Sequence, residues 1–583
     1  MKKFTADFET TTDPNDCRVW AFAISEIGNI DNFIYGNSLD DFMAFCANKK
    51  ENYKMWFHNL KFDGEFIVWW LLDNGFEFIP DKESRKDKSF TTLVSDMGQW
   101  YSVEVFFTVK GKRVNKVTFY DSMKLLNTSV EQVAKDFDLP ISKLKIDYRA
   151  YRAKGHVLTD EEVAYIRNDV EIMSMALDFL FKHGVDKMTI AGNALADFKR
   201  RCTNFRSYFP VLPKEVDKFC RASYKGGFTW LSPLYVEKET GKGVVFDVNS
   251  MHPAQMKYKA MPIGYPEAFE GEYIFDPLYP LFIVAFACSF KLKEGKIPSI
   301  QLKHSLSYMP NEYIETTNGE IVTLTLTTPD FELFFENYDV EDIEWFGGYK
   351  FKSCNGLFTN YVDYWTEQKI KSKREGNKSM TALSKLYLNS LYGRFGLNGQ
   401  GDKKEPVLID GVLHQQRLKT DDRETVYCPV ASFITAYSRK LIIETAEEMR
   451  KYTLEKYGFD GMIYTDTDSC HVCGIDENDY KELGKYIEID DYKLGAWKPE
   501  SIFVRGKYLR QKCYMEQWPD GSVNVTVAGL PKKLSHLVNF DNFKVGFTTA
   551  DFDDAQIGEK GRKFTYLHVK GGVILEDTDF TIK

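Results

Sequence analysis

No stretch of the chain approaches the roughly eighteen consecutive apolar residues of a bilayer-spanning helix, so no membrane span is expected in the sequence. The N-terminus, Met1-Lys2-Lys3-Phe4-Thr5-Ala6-Asp7, has no apolar leader segment and passes straight into a strand-like pattern, which argues against a signal peptide. A basic excess is missing too. The net charge is −9, which excludes a simple nucleic-acid-binding module coated in Lys and Arg. It does not exclude an enzyme that confines positive charge to a channel and carries carboxylates for metal ions. The ten Cys are scattered, as in a reduced cytosolic protein, and the pair Cys470 and Cys473 lacks a second pair to complete a zinc site. Repeats and low-complexity tracts are absent.

At 583 residues the chain is too long for one core and should form about three to five domains. Hydrophobic residues at 43% and charged residues at 28% are ordinary for a globular chain, but aromatics reach 15%, with 33 Tyr and 45 Phe. That excess reads equally as core packing or as stacking surface for nucleobases.

The first 187 residues or so alternate strand-like and helical segments, as an α/β domain would. Strands are expected at Lys2 to Asp7, Trp20 to Ile27, Lys54 to Phe57 and Val117 to Tyr120, and Thr159 to Glu162 forms a capping box for a helix through Leu180. A linker near 200 to 213 leads to a strand at Gly243 to Val248, then to a Tyr-, Pro- and Gly-rich stretch of short strands from about 259 to 360. A helical block from Tyr361 to Tyr392, a polar hairpin-like insertion at 397 to 426 and a mixed region from 430 to 515 follow.

Two sets of carboxylates stand out. Asp7 and Glu9 lie two apart on a strand, so both point to one face while Phe8 faces the core. Asp63 follows a later strand, and Tyr165 and Asp169 are four apart on one helix face. Four carboxylates and a Tyr can hold two divalent cations and orient a water for in-line attack on a phosphodiester. Further on, Val244-Val245-Phe246-Asp247 is an apolar strand ending in a carboxylate, and Tyr464-Thr465-Asp466-Thr467-Asp468-Ser469 is a tight acidic turn between apolar strands. Burying such carboxylates unpaired costs several kcal/mol, so the acidic turn implies a cation or solvent, and Asp247 and Asp468 could hold two metal ions. Between them Lys385, Asn389 and Tyr392 share one helix face, which suits a triphosphate, a sugar and a base.

The order D-x-E, N-x-x-x-D, Y-x-x-x-D resembles the DEDDy exonucleases of RNase H-like fold. D-x-N-S-x-x-P, K-L-x-L-N-S-L-Y-G and Y-x-D-T-D-S resemble motifs A, B and C of family B DNA polymerases. Tyr224-Lys225-Gly226-Gly227 matches Y-x-G-G, Lys512-Cys513-Tyr514 matches K-x-Y, and Thr435 with Arg439 matches T-x-x-x-R. Insertions between motifs A and B and between B and C, together with Lys143 through Ile146, are similar to features of the protein-primed subgroup found in phages.

The resemblance implies an α/β multi-domain chain. A 3′–5′ exonuclease domain would span 1–187, with palm at 188–258 and 430–527, fingers at 361–396 and thumb at 528–583. Two terminal-protein-region insertions would occupy 259–360 and 397–429. It implies that Asp7, Glu9, Asp63 and Asp169 bind the editing metals, that Tyr165 positions water, and that Lys143 assists. Thr10, His58, Asn59, Phe62, Ser122 and Met123 would hold a frayed primer end. Asp247 and Asp468, with the carbonyl of Val248, would bind the synthesis metals and Asp466 would assist. Lys385, Asn389, Tyr392 and Lys371 or Lys373 would contact the incoming nucleotide. Tyr224, Gly226, Gly227, Thr435, Arg439, Arg510, Lys512 and Tyr514 would hold primer and template. Mg²⁺ or Mn²⁺, two ions per site, would be the cofactors. Partners would be template and primer DNA, dNTPs, a terminal protein and a single-stranded DNA-binding protein, in the cytoplasm of a bacterial host. Two departures from the family pattern are His252, where a Tyr usually stands, and Arg394, where Lys often follows Y-G. A competing reading is an exonuclease carrying a platform without synthesis, which the paired D-V-N-S and D-T-D-S segments oppose. A non-enzymatic DNA- or terminal-protein-binding module would need no acidic clusters.

Overall fold

A computed structural model describes residues 1–47, 51–147, 150–302, 312–399, 401–420, 423–558 and 561–583. The N-terminal portion is built on an eight-stranded sheet in the order Asn29–Gly36, Val19–Glu26, Lys2–Thr10, Tyr53–Phe57, Arg113–Asp121, Trp100–Lys110, Ser89–Val94, Glu77–Phe78. Its centre is parallel, Lys2–Thr10 beside Tyr53–Phe57 beside Arg113–Asp121. The first strand alternates. Phe4, Ala6 and Phe8 enter a core with the helices Leu39–Cys46 and Leu60–Asp73. Thr5, on the other face, donates to Val170 O of the helix Asp160–Lys182 at 2.8 Å. The capping box of Thr159 and Glu162 opens the helix Asp160–Lys182 as expected.

The second carboxylate set lies on an antiparallel five-stranded sheet in the order Trp497–Phe503, Gly243–Val248, Ser469–Cys473, Met462–Asp466, Thr229–Leu231. The helix Cys428–Tyr457 supplies Ile442, Ile443, Ala446 and Met449 to the core beneath it. The helices Thr359–Arg374 and Lys378–Phe395 pack side by side, and Asn377 caps the second through Met380 N.

Between 259 and 360 the expectation of short strands is corrected. Leu281–Leu292 has 12 residues and Tyr338–Cys354 has 17, within a sheet ordered Met261–Phe269, Tyr338–Cys354, Leu281–Leu292, Val322–Thr327. Two glycines of this Gly-rich stretch, Gly347 and Gly348, lie inside the longest strand. A Cβ on Gly347 would meet Phe269 O at 2.2 Å and one on Gly348 would meet Ile283 O at 2.0 Å, so bare backbone lets that strand pair on both sides. The polar insertion is a hairpin, Lys403–Ile409 with Val412–Leu418, turned by Asp410-Gly411 with both φ values positive. A four-stranded sheet, Glu239–Thr240, Arg505–Arg510, Cys513–Gln517, Val523–Val527, and a C-terminal hairpin, Lys563–Val569 with Gly572–Thr578, complete the molecule.

Candidate active sites

The alternation of the first strand turns Asp7 and Glu9, both half-buried, toward the face covered by the helix that carries Tyr165 and Asp169. Asp63 arrives from the first turn of the helix Leu60–Asp73, where its Oδ1 accepts from Phe8 N at 3.2 Å. Lys143 Nζ donates to Asp169 Oδ2 at 2.8 Å. Burial and then the charge of Asp169 push Asp7 up to about 7. Glu9 is held well above the ordinary carboxylate range by burial and by Asp7 and Asp169, and Asp63 by burial and Asp7. Burial also raises Asp169, against the pull of Lys143. The four carboxylates thus repel one another in a poorly solvated place with one ammonium among them. A divalent cation would relieve that repulsion. Among the described residues no group of three or more His, Cys, Asp or Glu closes around a single point.

Beside this cluster the chain bends sharply at Asn59, with φ 77°. Asp121, which the sequence reading missed, organises the bend. Its Oδ1 accepts from Asn59 N at 3.2 Å, Leu60 N at 3.4 Å and Met123 N at 3.0 Å. A signal was there, since an Asp closing a strand and preceding Ser is a ready N-cap. His58 is spent on both edges, Nδ1 at 2.9 Å from Ser122 Oγ and Nε2 at 2.6 Å from Thr128 O. Ser122 is itself buried and donates to Phe57 O at 3.0 Å. These two residues therefore set the shape of the bend. Of the six candidates only Ser122 is fully buried; Thr10, His58, Asn59, Phe62 and Met123 are partly accessible.

On the five-stranded sheet, Asp247 ends its strand directly opposite Ser469, and Val248 N donates to Asp468 O at 2.9 Å. Burial, then Asp468 and Glu500, push Asp247 up to about 7, and burial raises Asp468. Glu500 and Lys498, on the adjoining strand, were not anticipated, since W-K-P-E shows no pattern until Asp247 is seen paired with Lys498. Asp466 is different in kind. Its oxygens accept from Lys512 Nζ at 2.7 Å, Tyr464 hydroxyl at 3.1 Å and Thr467 hydroxyl at 3.2 Å. Asp466 therefore braces the turn, while Asp247 and Asp468 face each other with no cation paired to either at salt-bridge distance among the described residues.

His252 lies over Tyr392, ring centroids 4.2 Å apart, with Nδ1 3.0 Å from Ser438 Oγ. Burial and then Asp468 raise Tyr392, which places that ring within the field of Asp468. Lys385 and Asn389 are exposed on the same helix. The lysine brought beside the motif A serine is neither Lys371 nor Lys373, both exposed, but Lys369, whose Nζ donates to Ser250 Oγ at 3.4 Å. Its pKa is lowered by burial and by Lys385, Lys373 and Lys498, the mark of a positive pocket. The i, i+4 spacing of Lys369 and Lys373 on one helix face was the available signal.

Thr435 and Arg439 need correction as primer or template contacts, because both are buried. Thr435 bonds back to Ala431 O at 3.1 Å. Arg439 forks onto Asp330 at 3.1 and 2.6 Å and donates to the carbonyls of Lys225 at 3.0 Å and Gly226 at 2.8 Å. It thereby fixes the Tyr224-to-Gly227 segment, whose Gly227 lies so close to Thr467 that a Cβ would sit 2.7 Å from its methyl. Tyr224 packs on Gly396, Tyr514 stacks on Tyr508 at 5.5 Å, and Arg510 donates to Lys583 O at 3.1 Å.

Residues 46–483 match the family of DNA polymerases of type B, organellar and viral. The DNA polymerase of Bacillus phage M2 is 42% identical over 602 residues, covering 100% of both chains. That of Bacillus phage phi29 is 41% identical over 603 residues, covering 100% of this chain and 99% of its own. That of Streptococcus phage Cp-1 is 31% identical over 617 residues, covering 100% of this chain and 98% of its own. The solved structure of phi29 DNA polymerase complexed with primer-template DNA superposes with a TM-score of 0.91 at 40% identity, covering 100% of each chain. The ternary complex of the same enzyme with primer-template and incoming nucleotides gives 0.89 at 41%, with the same coverage. The chain belongs to the type B DNA polymerases and is a phage polymerase of the phi29 kind.

Proposed function

We propose that this DNA polymerase extends primers at Asp247 and Asp468 and edits them at Asp7, Glu9, Asp63 and Asp169, beginning each genome from the hydroxyl of a terminal protein. The observation that carries the two-site reading is the presence of two separate crowded carboxylate groups, one on the eight-stranded sheet and the helices against it with Lys143 among them, the other on the five-stranded sheet beside Lys369 and Lys498. Divalent cations, Mg²⁺ or Mn²⁺ and two per site, would supply charge neutralisation and activation of the attacking oxygen. The Val248 carbonyl would help hold those at the synthesis site.

The residues of the chain do the positioning. Lys369 and Lys385 bind the triphosphate, Asn389 and Tyr392 face the nucleotide, and His252 lies under its sugar. Lys512 and Asp466 keep the acidic turn rigid. At the editing site Phe62 receives an unpaired base, and Tyr165 and Lys143 orient the attacking water around Asp169. Residues 1–187 would form the editing domain and 188–258 with 430–527 the palm. Residues 361–396 would form the fingers and 528–583 the thumb, with the insertions at 259–360 and 397–429. Template, primer strand and dNTPs would be bound as in the phi29 complexes, in the host cytoplasm.

Strand displacement and processivity are read from closure. The insertion hairpin is tied to the N-terminal portion by Trp69 Nε1 donating to Gly411 O at 2.9 Å and to the C-terminal hairpin by a bridge between Val412 and Lys570. Such a ring would keep DNA enclosed. Extension of a primed circular single strand past one full turn, with no clamp or helicase, tests this. Products stopping at one turn would contradict it.

A further inference from the structure

The C-terminal hairpin reaches across to the N-terminal carboxylate cluster. Its turn is built to fit there. Gly571 and Gly572 have φ of +101° and +152°, and Cβ atoms on them would meet Cys17 O at 2.1 Å and the Phe66 ring at 2.5 Å. No other residue pair would let the hairpin sit so close. From the strand Lys563–Val569 the hairpin then presents Tyr566 to the bend at Asn59. Asn59 Nδ2 donates to the Tyr566 hydroxyl at 3.1 Å. The ring centroid of Tyr566 is 5.9 Å from that of Phe62 at an interplanar angle of 57°, and Lys61 Nζ stands 5.1 Å over the same ring. Burial, against the hydrogen bond from Asn59, and the charges of Asp63, Glu65 and Asp121 raise the phenol.

We propose that Tyr566 is a positioning residue for single-stranded 3′ ends, supplying with Phe62 the second aromatic wall against which the unpaired terminal base stacks. Its hydroxyl holds Asn59 in place until the strand's own acceptors replace it. Every base has a π-face, so a second ring would hold any frayed nucleotide without reading its sequence. The inference rests on the editing reading given above.

The test is hydrolysis of single-stranded oligonucleotides by the full-length protein with Mg²⁺. Tyr566→Ala should raise KM on the order of tenfold with kcat little changed, and Tyr566→Phe should restore KM to near the wild-type value. An unchanged KM would overturn the proposal, and so would a fall, which would make the ring an obstruction. Fluorescence of a 3′-terminal 2-aminopurine with Ca²⁺ gives a readout that does not depend on turnover. Quenching should weaken in Tyr566→Ala and persist in Tyr566→Phe, and equal quenching in all three proteins would sink the idea. Wild-type hydrolysis lost on joint substitution of Asp7 and Glu9, with KM indifferent to Tyr566, removes this inference alone. No wild-type hydrolysis at all removes the editing reading and this inference with it.

Discussion

His252 shows how far one side chain can shift a property of the site. Burial and then Arg439 lower its pKa to about 4, so the ring in contact with Tyr392 is a neutral imidazole at neutral pH. Because the folded pKa lies below the unfolded value of about 6.5, protonation opposes folding. Stability at this residue is lost as pH falls from about 6.5 toward 4. Imidazole is smaller than phenol and leaves room beside the sugar. His252→Tyr should raise the ratio of dNTP to rNTP incorporation about tenfold, the scale on which a filled or empty volume discriminates substrates. Across about pH 6 to 9 the wild-type ratio should stay flat. A ratio that hardly moves on substitution would contradict this role. Arg439 makes a second residue-scale case. Removing its guanidinium would leave Asp330 buried beside two carbonyls, and Arg439→Ala should cost about 3–5 kcal/mol in chemical denaturation. A loss of DNA affinity at unchanged stability would restore the direct contact that burial argues against.

At the scale of elements, period and punctuation account for most of what could be read. The strand Lys2–Thr10, the capping box at Thr159, the strand Gly243–Val248 and the hairpin within 397 to 426 follow from two-residue alternation, N-cap chemistry, a short apolar run and a polar Asp-Gly turn respectively. Where partners rather than local pattern decide, legibility stops. Gly347 and Gly348 resemble loop residues until two neighbouring strands crowd them, and Lys369 is one of several lysines until its helix packs beside Ser250. Thr435 and Arg439 have the composition of a DNA contact, and only their burial shows an internal brace.

The carboxylate-bearing strands carry their own prediction. With Asp7 and Asp247 both pushed up to about 7, the folded protein without metal holds more protons than the unfolded chain between about pH 4 and 7. Their contribution is therefore lost as pH rises through about 7. In EDTA, Tm should fall on going from about pH 5 to about pH 8, and Mg²⁺ or Mn²⁺ should raise it more at the higher pH. Asp7→Asn with Asp247→Asn should flatten both trends, and a metal effect equal at the two pH values would contradict the assignment.

For the whole molecule, the aromatic excess resolves largely toward packing. Phe198 stacks on Phe358 at 4.6 Å, and Phe286 and Trp345 of the long-stranded sheet cluster with Phe331 and Phe335 of the helix Thr328–Asn337. A few rings, Phe62, Tyr392 and Tyr566 among them, remain partly accessible beside carboxylates. The negative balance of −9 sits beside two crowded carboxylate sets, while the charges of Lys373, Lys385 and Lys498 act together on Lys369. The central claim is that synthesis and editing are done by separate carboxylate sets in one chain. It is tested most directly by assaying two variants side by side, Asp468→Ala and the double variant Asp7→Ala with Glu9→Ala, on a primed template with dNTPs and on a single-stranded oligonucleotide without them. Asp468→Ala should lose primer extension and keep degradation of the single strand, and the double variant should do the reverse. If either folded variant lost both activities, or if neither lost its assigned one, the two-site account would be wrong.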